Sequence, residues 1–218
     1  LMAGMRPAVD RLAAAVRRRE PVLLCGDYDV DGTAAVVILK TVIERAGGVA
    51  SFHIPHRLRD GYGLKEDTIE AAARDGVKLI VSADTGIRDH QALARAAVMG
   101  VDVIVTDHHL PDSELPPALA ILNPKRPDCA YPERELCGAG VAFRLIEALI
   151  GELGWPENRR RSMLASLSKL VAIATVADVV PLTGENRILV KHGLEGLSDV
   201  RNPGLRALLE VAGFARGE

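Results

Sequence analysis

Short runs of apolar residues recur along the first 125 residues, and each is followed by a stretch with helical periodicity. The runs lack a polar residue at every second position, which is typical of strands buried on both faces of a sheet. The helical stretches end at glycines, as at Gly47, Gly76 and Gly100. The predicted strands are 21–26, 49–54, 77–83, 101–106 and, shorter, 118–124. This alternation predicts right-handed crossovers and an α/β fold, with a parallel central sheet of about five strands flanked by helices.

The rest of the chain, residues 126–218, is predicted to be mainly helical. Two long segments, AGVAFRLIEALIGELG and RSMLASLSKLVAIATVADVV, carry apolar residues at helical spacing. A proline-rich stretch, 111–132, joins them to the sheet. We therefore expect a sheet part, residues 1–125, followed by a helix-rich C-terminal part, residues 126–218.

Composition and charge exclude several classes of protein. The net charge is −2 and aromatic residues make up 3% of the chain, so neither a basic groove nor a base-stacking surface is expected. The three cysteines, Cys25, Cys129 and Cys137, are odd in number and lack CxxC spacing, which argues against a disulfide framework or a zinc knuckle. No window approaches 18 apolar residues. We expect a cytoplasmic protein with no membrane partner.

Acidic residues and histidines follow three of the predicted strands. They are Asp27, Asp29 and Asp31 after the first strand, Asp84 after the third, and Asp107, His108 and His109 after the fourth. In open parallel sheets, ligands bind at the carboxyl ends of the strands. Asp178 lies later, inside the apolar run ATVADVV, where an unpaired carboxylate would cost several kcal/mol. This favours a metal ligand at that position over a helix cap or a buried salt bridge.

Five of these side chains form a plausible ligand set for divalent cations. They are Asp29, Asp31, Asp84, His108 and Asp178. Carboxylates favour Mg²⁺ or Mn²⁺ and imidazole favours transition metals, so the mixture points to Mn²⁺, with Mg²⁺ as a substitute. Two such ions would support phosphoester hydrolysis, and their charge would offset the repulsion among the carboxylates.

The string D-x-D-x-D-G also opens a calcium-binding EF-hand loop. The twelfth position of that loop requires a bidentate acid, but Ile38 stands there. The residues before Asp27 are strand-like rather than helical, so the EF-hand interpretation fails.

A haloacid-dehalogenase-type phosphatase is a second alternative, because Asp29 to Thr33 match its D-x-D-G-T motif. Asp29 would then be the nucleophile and Asp31 the general acid and base, with Thr106 as the second motif. This alternative leaves Asp84 and both histidines without a role, so we consider it less favourable.

The motifs DYDVDG, SADTGI, TDHH and ATVADVVPL together resemble the four motifs of the DHH phosphoesterase family, which is named for the Asp-His-His triplet. Three further stretches, CGAGVAFRL, VADVVPLTGENRILVKHGL and RDGYGL, resemble the RecJ-type exonucleases of that family. The resemblance covers nearly the whole chain. It implies one DHH domain over residues 1–218, leading to a further domain that is absent from this chain.

The resemblance also implies roles for the ligand set. Asp29 and Asp31 would each bind one of two manganese ions, and Asp84 would bridge both. His108 and Asp178 would complete the second site.

Other side chains would act around the metal ions. His109 would face the scissile phosphate. His109 and Asp84 are the proposed catalytic residues. Asp107 would accept a hydrogen bond from a metal-binding imidazole, and Asp27 would either support the ligands or shape the turn. Arg57 and Arg59, beside DGYGL, are candidate phosphate contacts.

The activity that the resemblance implies is digestion of single-stranded DNA from the 5′ end to mononucleotides, in recombination and repair. The implied partners are single-stranded DNA, single-strand-binding protein and recombination and repair proteins. Oligoribonucleases and cyclic-dinucleotide phosphodiesterases share the fold and the acids, and they remain the alternatives within the family.

Overall fold

The computed structural model describes residues 1–214, in which helices cover both faces of a five-stranded parallel sheet. The strands are β1 (Pro21–Gly26), β2 (Val49–His53), β3 (Leu79–Ala83), β4 (Asp102–Thr106) and β5 (Ala120–Leu122). The helices are α1 (Met5–Arg18), α2 (Val30–Arg45), α3 (Glu66–Arg74), α4 (His90–Val98), α5 (Gly138–Glu152), α6 (Glu157–Ala177), α7 (Gly184–Glu195) and α8 (Pro203–Val211). The strand order is β2-β1-β3-β4-β5, and every pairing is parallel. The predicted fold class is confirmed.

The central strands divide their side chains between two hydrophobic clusters. In β1, Val22 and Leu24 belong to the cluster shared with α1, α2, α5 and α6. Leu23 and Cys25 point to the opposite cluster, which contains residues of α3 and α4. Successive strand residues face opposite sides of a sheet, so a strand covered on both sides needs apolar residues at every position. This explains why the apolar runs of the central strands lack polar alternation.

The second predicted strand does not follow that pattern. β2 is paired only with β1 among the described strands, and Val49 and Phe52 are 41% and 57% exposed. The expectation that all the apolar runs are buried on both faces is therefore wrong for residues 49–54. The path of the connections between strands sets the strand order and places β2 at the edge of the sheet. Few residues cover a strand in that position.

Helix α2 begins closer to β1 than its apolar pattern predicts. The run TAAVVILKTVIERAGG, residues 33–48, predicts a helix from Thr33, but the structure starts α2 at Val30. The side chain of Asp29 accepts a hydrogen bond of 2.9 Å from the Gly32 amide and so caps the helix. Aspartate is a favoured N-cap because its carboxylate satisfies a free amide of the first turn. Asp29 and Asp31 are thereby held in the first turn, directly beyond the sheet.

The helices of the C-terminal part continue the layer on one face of the sheet. α5 packs against α1 and α2, α6 packs against α2 and α5, and α7 packs against α6. The large hydrophobic cluster runs through these helices without a break from α1 to α6. Over residues 1–214, no helix has both the length and the apolar character needed to cross a bilayer.

A strained valine follows the end of α6. Asp178 keeps helical angles, but Val179 has a φ of 59°, a region that β-branched residues rarely adopt. Glycine is the usual residue at this position after a helix. The Val179 side chain is 85% exposed, so burial contributes little to offset the strain.

Val179→Gly is expected to raise the free energy of unfolding by about 1 kcal/mol, because glycine adopts a positive φ without steric cost. The matched control is Val176→Gly, three residues earlier and still within α6. That change is expected to lower the free energy of unfolding by about 0.5 kcal/mol, because glycine is a poorer helix former than valine. Urea denaturation of the metal-free proteins measures both changes, and a loss of stability in both variants would contradict the strain at Val179.

Candidate metal centre

The candidate site lies where the chain changes direction across the sheet. The chain passes from β1 to the edge strand β2 and then returns to β3 on the other side of β1. Such a reversal opens a crevice at the carboxyl ends of the two central strands. Asp27, Asp29 and Asp31 follow β1, and Asp84 follows β3. The loop after β4 brings Asp107 to His109 to the same edge of the sheet.

Asp31 is held by the amino terminus of α5. Its two carboxylate oxygens accept hydrogen bonds of 2.6 Å from the Gly138 amide and 2.7 Å from the Ala139 amide. The first amides of a helix have no partners within the helix, and the helix dipole favours negative charge there. The sequence motif that begins at Cys137 thus supplies backbone donors to an acid more than a hundred residues earlier. Residue types alone gave no signal for this contact.

The His108 imidazole lies among three carboxylates. Its Nε2 atom is 3.1 Å from Asp84 Oδ1, 3.6 Å from Asp178 Oδ2 and 3.7 Å from Asp31 Oδ2. Burial and the neighbouring His109 lower the pKa of His108 to about 4, so the ring is neutral at physiological pH. Within the described residues, neither nitrogen of this buried ring has a hydrogen-bond partner, and the same is true of Asp84 Oδ1. Buried polar atoms without partners are costly, and a cation would satisfy them.

The donor atoms form two groups that could each hold a cation. One consists of Asp31, His108 and Asp178, and the other of Asp27, Asp29 and Asp84, with the donor atoms of each group within 4.8 Å of one another. A third combination, Asp84 with His108 and His109, meets the same limit. Asp84 therefore lies within reach of both groups. Carboxylates with one imidazole suit Mn²⁺ or Mg²⁺, so the residues present fit the cation that the sequence predicted.

Two details of this arrangement differ from the sequence analysis. Asp27, which the sequence left between a supporting and a turn-shaping role, offers an oxygen to the second donor group. Asp107 accepts its imidazole hydrogen bond from His109 Nδ1, at 2.7 Å, and not from His108. The partner of Asp107 is thus the imidazole that the resemblance placed facing the phosphate. The acid orients the partly exposed imidazole of His109, while the buried imidazole of His108 faces the carboxylates.

Asp107 is buried and surrounded by donors. The amides of Ile87, His108 and His109 donate hydrogen bonds to it, at 3.0, 2.7 and 3.1 Å. Burial disfavours its charge, but the hydrogen bond and the charge of His109 outweigh burial, and the pKa of Asp107 lies below its usual value. The same hydrogen bond raises the pKa of His109. With Nδ1 engaged in this way, Nε2 is the nitrogen of His109 left for another partner.

The two candidate arginines differ in their surroundings. The Arg57 guanidinium lies 4.5 Å from the centre of the Tyr28 ring, and its charge is close enough to Asp27 to favour the ionised carboxylate. Arg59 is exposed, and in the described part of the chain its side chain makes no hydrogen bond or ion pair. The structure thus brings Arg57 to the centre and does not bring Arg59 there.

The dehalogenase-type alternative does not fit this geometry. Thr106, its second motif, is fully buried, and its hydroxyl donates a hydrogen bond of 2.6 Å to the Ser82 carbonyl. Asp29, its nucleophile, caps α2 through the Gly32 amide. Neither group is arranged for a phosphoryl-enzyme intermediate.

Gly138 is expected to be needed at the start of α5, since a methyl group there would lie 2.6 Å from Asp84 Cβ. Gly138→Ala should weaken Mn²⁺ binding by about tenfold or more, because displaced ligands or their supports cost 10- to 100-fold in metal affinity. Gly151→Ala, in the same helix but facing open space, is the control and should leave binding unchanged. Isothermal titration calorimetry measures both affinities, and equal affinities would contradict this packing.

The metal-free protein is expected to lose stability as the pH rises. Burial, together with Asp31 and Asp107, raises the pKa of Asp84 to about 11, and burial raises the pKa of Asp31 to about 6. Both values exceed the roughly 3.9 of an unfolded aspartate, so the folded state binds more protons above pH 4. These two carboxyls lower the stability as the pH rises above about 4, Asp31 until about pH 6 and Asp84 until about pH 11. His108, whose pKa is lowered to about 4, acts in the opposite direction, but only between about pH 4 and 6.5, so the net effect is a loss.

Urea denaturation at pH 5 and pH 8 in EDTA measures this loss. Asp84→Asn removes the larger shift and should reduce the difference in the free energy of unfolding between the two pH values. An unchanged difference would show that Asp84 is ionised in the metal-free protein.

The site and the fold can be compared with known proteins. Residues 21–175 match the family model described as "DHH family, N-terminal domain". Among curated proteins, the single-stranded-DNA-specific exonuclease RecJ of Bacillus subtilis (strain 168) is 40% identical over 217 residues, which is 100% of this chain and 26% of that protein. RecJ of Escherichia coli (strain K12) is 41% identical over 219 residues, or 97% of this chain and 38% of that protein. The chain thus spans between about a quarter and two fifths of the length of these relatives.

Solved structures give the same result. A crystal structure of exonuclease RecJ bound to manganese matches with a TM-score of 0.88 and 36% identity, covering 100% of this chain and 54% of that one. RecJ of Thermus thermophilus in complex with Mn²⁺ matches with a TM-score of 0.83 and 34% identity, covering 98% of this chain and 30% of that one. The family model covers residues 21–175, more than half of the chain, and the chain belongs to the DHH family.

Proposed function

We propose that this chain carries the metal centre of a single-stranded-DNA exonuclease that releases mononucleotides from the 5′ end, in recombination and repair. One observation carries the proposal: two groups of donor atoms lie at one sheet edge, with Asp84 within reach of both. The similarity to RecJ proteins over nearly the whole chain supports the substrate class. The polarity of digestion rests on that similarity alone.

Two manganese ions are the proposed cofactors, and magnesium is a possible substitute, in line with the Mn²⁺ and Mg²⁺ complexes of the related RecJ structures. Asp27, Asp29 and Asp84 would hold one ion. Asp31, His108 and Asp178 would hold the other, with Asp84 between them. When bound, such a pair supplies charge neutralisation at phosphoryl oxygens and a more acidic water at neutral pH.

The residues of the chain prepare the site for that chemistry. The amides of α5 hold the Asp31 carboxylate in place and leave its remaining lone pairs free. Burial keeps His108 neutral, the form in which imidazole binds metal. Because Asp107 holds Nδ1 of His109, Nε2 is available to donate a proton or a hydrogen bond to a developing negative charge on the phosphate.

Arg57 is the proposed contact for a substrate phosphate, because it is exposed beside Asp27 and Tyr28. Arg59 remains a prediction of the sequence. We propose a cytoplasmic location, which the proposed DNA substrate and three cysteines without disulfides support. Contacts with single-strand-binding protein and with recombination and repair proteins stay predictions of the resemblance.

Digestion of labelled DNA tests the proposal. Single-stranded DNA labelled at the 5′ or 3′ end is incubated with Mn²⁺, Mg²⁺ or EDTA, beside a duplex, a cyclic dinucleotide, a short oligoribonucleotide and a small phosphomonoester. Metal-dependent release of labelled mononucleotide from the 5′ end alone is the expected result. Cleavage of the cyclic dinucleotide or oligoribonucleotide with intact DNA would assign the chain to another activity of the family. Intact substrates throughout would contradict the proposal for this chain.

Asp84→Ala is expected to reduce hydrolysis at least about a hundredfold, because even residues that only support metal ligands cost up to that much when replaced. Circular dichroism should show an unchanged fold. Asp10→Ala, which removes an exposed carboxylate paired with Arg6 on α1, is the matched control and should keep full activity. Undiminished hydrolysis by purified Asp84→Ala protein would contradict the two-metal assignment.

A further inference from the structure

Tyr62 connects the loop between β2 and α3 to the metal centre. Its hydroxyl lies 3.3 Å from the Asp84 carbonyl oxygen and 3.2 Å from His109 Nδ1. The rings of Tyr62 and His109 meet edge to face, with centroids 5.8 Å apart and an interplanar angle of 76°. The proposed mechanism does not use Tyr62. Its hydroxyl therefore lies in the site without an assigned role.

The possible donors and acceptors fix the direction of these hydrogen bonds. A backbone carbonyl can only accept, so the single hydroxyl proton of Tyr62 goes to the Asp84 carbonyl. The hydroxyl oxygen then remains an acceptor for the Nδ1 proton of His109, which also faces Asp107 at 2.7 Å. Two acceptors therefore hold the Nδ1 side of the ring, one carboxylate and one phenol. With this side occupied, rotation of the ring would break both contacts.

The loop that carries Tyr62 is anchored immediately beyond it. The Leu64 amide donates a hydrogen bond of 2.6 Å to the Asp89 carboxylate. Gly63 has a φ of 88°, and a side chain there would lie 2.6 Å from the same carboxylate. On the other side of Tyr62, the His56 amide is bonded to Asp60 at 2.7 Å. The tyrosine is thus held on a supported turn and is not at a free loop tip.

Tyr62 supports the backbone of Asp84 as well as the ring of His109. Asp84 has a φ of 64°, so its peptide is in the left-handed conformation, which aspartate tolerates better than most residues. Its amide is bonded to the Thr106 carbonyl at 2.9 Å. Tyr62 supplies a hydrogen bond to the carbonyl on the other side of the residue. One phenol thereby contacts both the backbone of a proposed metal ligand and the imidazole proposed to face the phosphate.

We propose that Tyr62 is a positioning residue, whose hydroxyl orients the His109 ring and ties it to the Asp84 backbone and to the loop of residues 54–64. This inference rests on the proposed function, since it assigns a role toward the same reaction. The loop also carries Arg57, so a phosphate held there and the imidazole are linked through one short segment. The hydroxyl affects the rate of the chemical step rather than the affinity for DNA.

Tyr62→Phe removes the hydroxyl and keeps the ring, which makes it the sharpest test. The kcat for single-stranded DNA should fall about fivefold to tenfold, the loss expected for one hydrogen bond that matters in the transition state, while KM changes less than about twofold. Tyr131→Phe is the matched control, because it also removes a hydrogen-bonded tyrosine hydroxyl, here from Glu185 and distant from His109. It should leave both constants unchanged.

A second measurement does not depend on activity. In the metal-free protein at fixed pH, proton NMR follows the His109 Nδ1 proton, assigned with a His109→Asn variant. Its resonance should shift and exchange faster with water in Tyr62→Phe, because one of its two acceptors is gone, and should be unchanged in Tyr131→Phe. This readout holds even if the wild-type chain cleaves no DNA, so it separates failure of the proposed function from failure of this inference.

Either of two results would overturn the inference. An unchanged Nδ1 proton in Tyr62→Phe would by itself show that Tyr62 does not hold the ring. A rise in KM at constant kcat would make Tyr62 a substrate contact instead of a positioning residue.

Discussion

The hydrogen bonds from the first amides of α5 to Asp31 decide how the two parts of the chain meet. Asp31 lies in the first turn of α2, and Gly138 and Ala139 lie more than a hundred residues later, beyond the last strand. The contact brings the amino terminus of a buried helix onto the carboxyl edge of the sheet. It also places Gly138 against Asp84, so closely that no side chain fits between them. The apolar packing of α5 on α1 and α2 and the acidic centre are therefore parts of one arrangement.

Burying several carboxylates close together costs electrostatic free energy, and the other groups of the centre must compensate for that cost. Asp27, Asp31, Asp84 and Asp107 are all buried at the same edge. Helix amides compensate Asp31, and backbone amides with His109 compensate Asp107. Nothing comparable compensates Asp84, whose Oδ1 atom has no hydrogen-bond partner in the described part of the chain and whose pKa is raised. The charge that these donors leave unbalanced is the charge that divalent cations would neutralise.

The sequence predicted which residues gather at this edge. Whether a residue follows a strand can be read from the local sequence, and the carboxyl ends of parallel strands lie at the same edge of a sheet. The sequence could not assign partners within the cluster. His108 and His109 are neighbours in the sequence, yet one is buried among carboxylates and the other pairs with Asp107, and residue order does not say which ring faces inward. The exposed edge position of β2 and the reach of Tyr62 depend on crossovers and loop paths. Such features arise from contacts between distant segments, which periodicity does not record.

The exposure of the candidate ligands indicates which side of the centre is open to a substrate. Each donor group combines buried members with one partly exposed carboxylate, Asp29 in one group and Asp178 in the other. His109 is also partly exposed, while the hydrogen bonds to Asp31 and Asp107 close the opposite side. Asp178 owes its position to the end of α6, where the strained Val179 turns the chain away. The strained residue thus lowers stability but keeps a candidate ligand at the open face, which is the pattern expected where function and not packing determines the backbone.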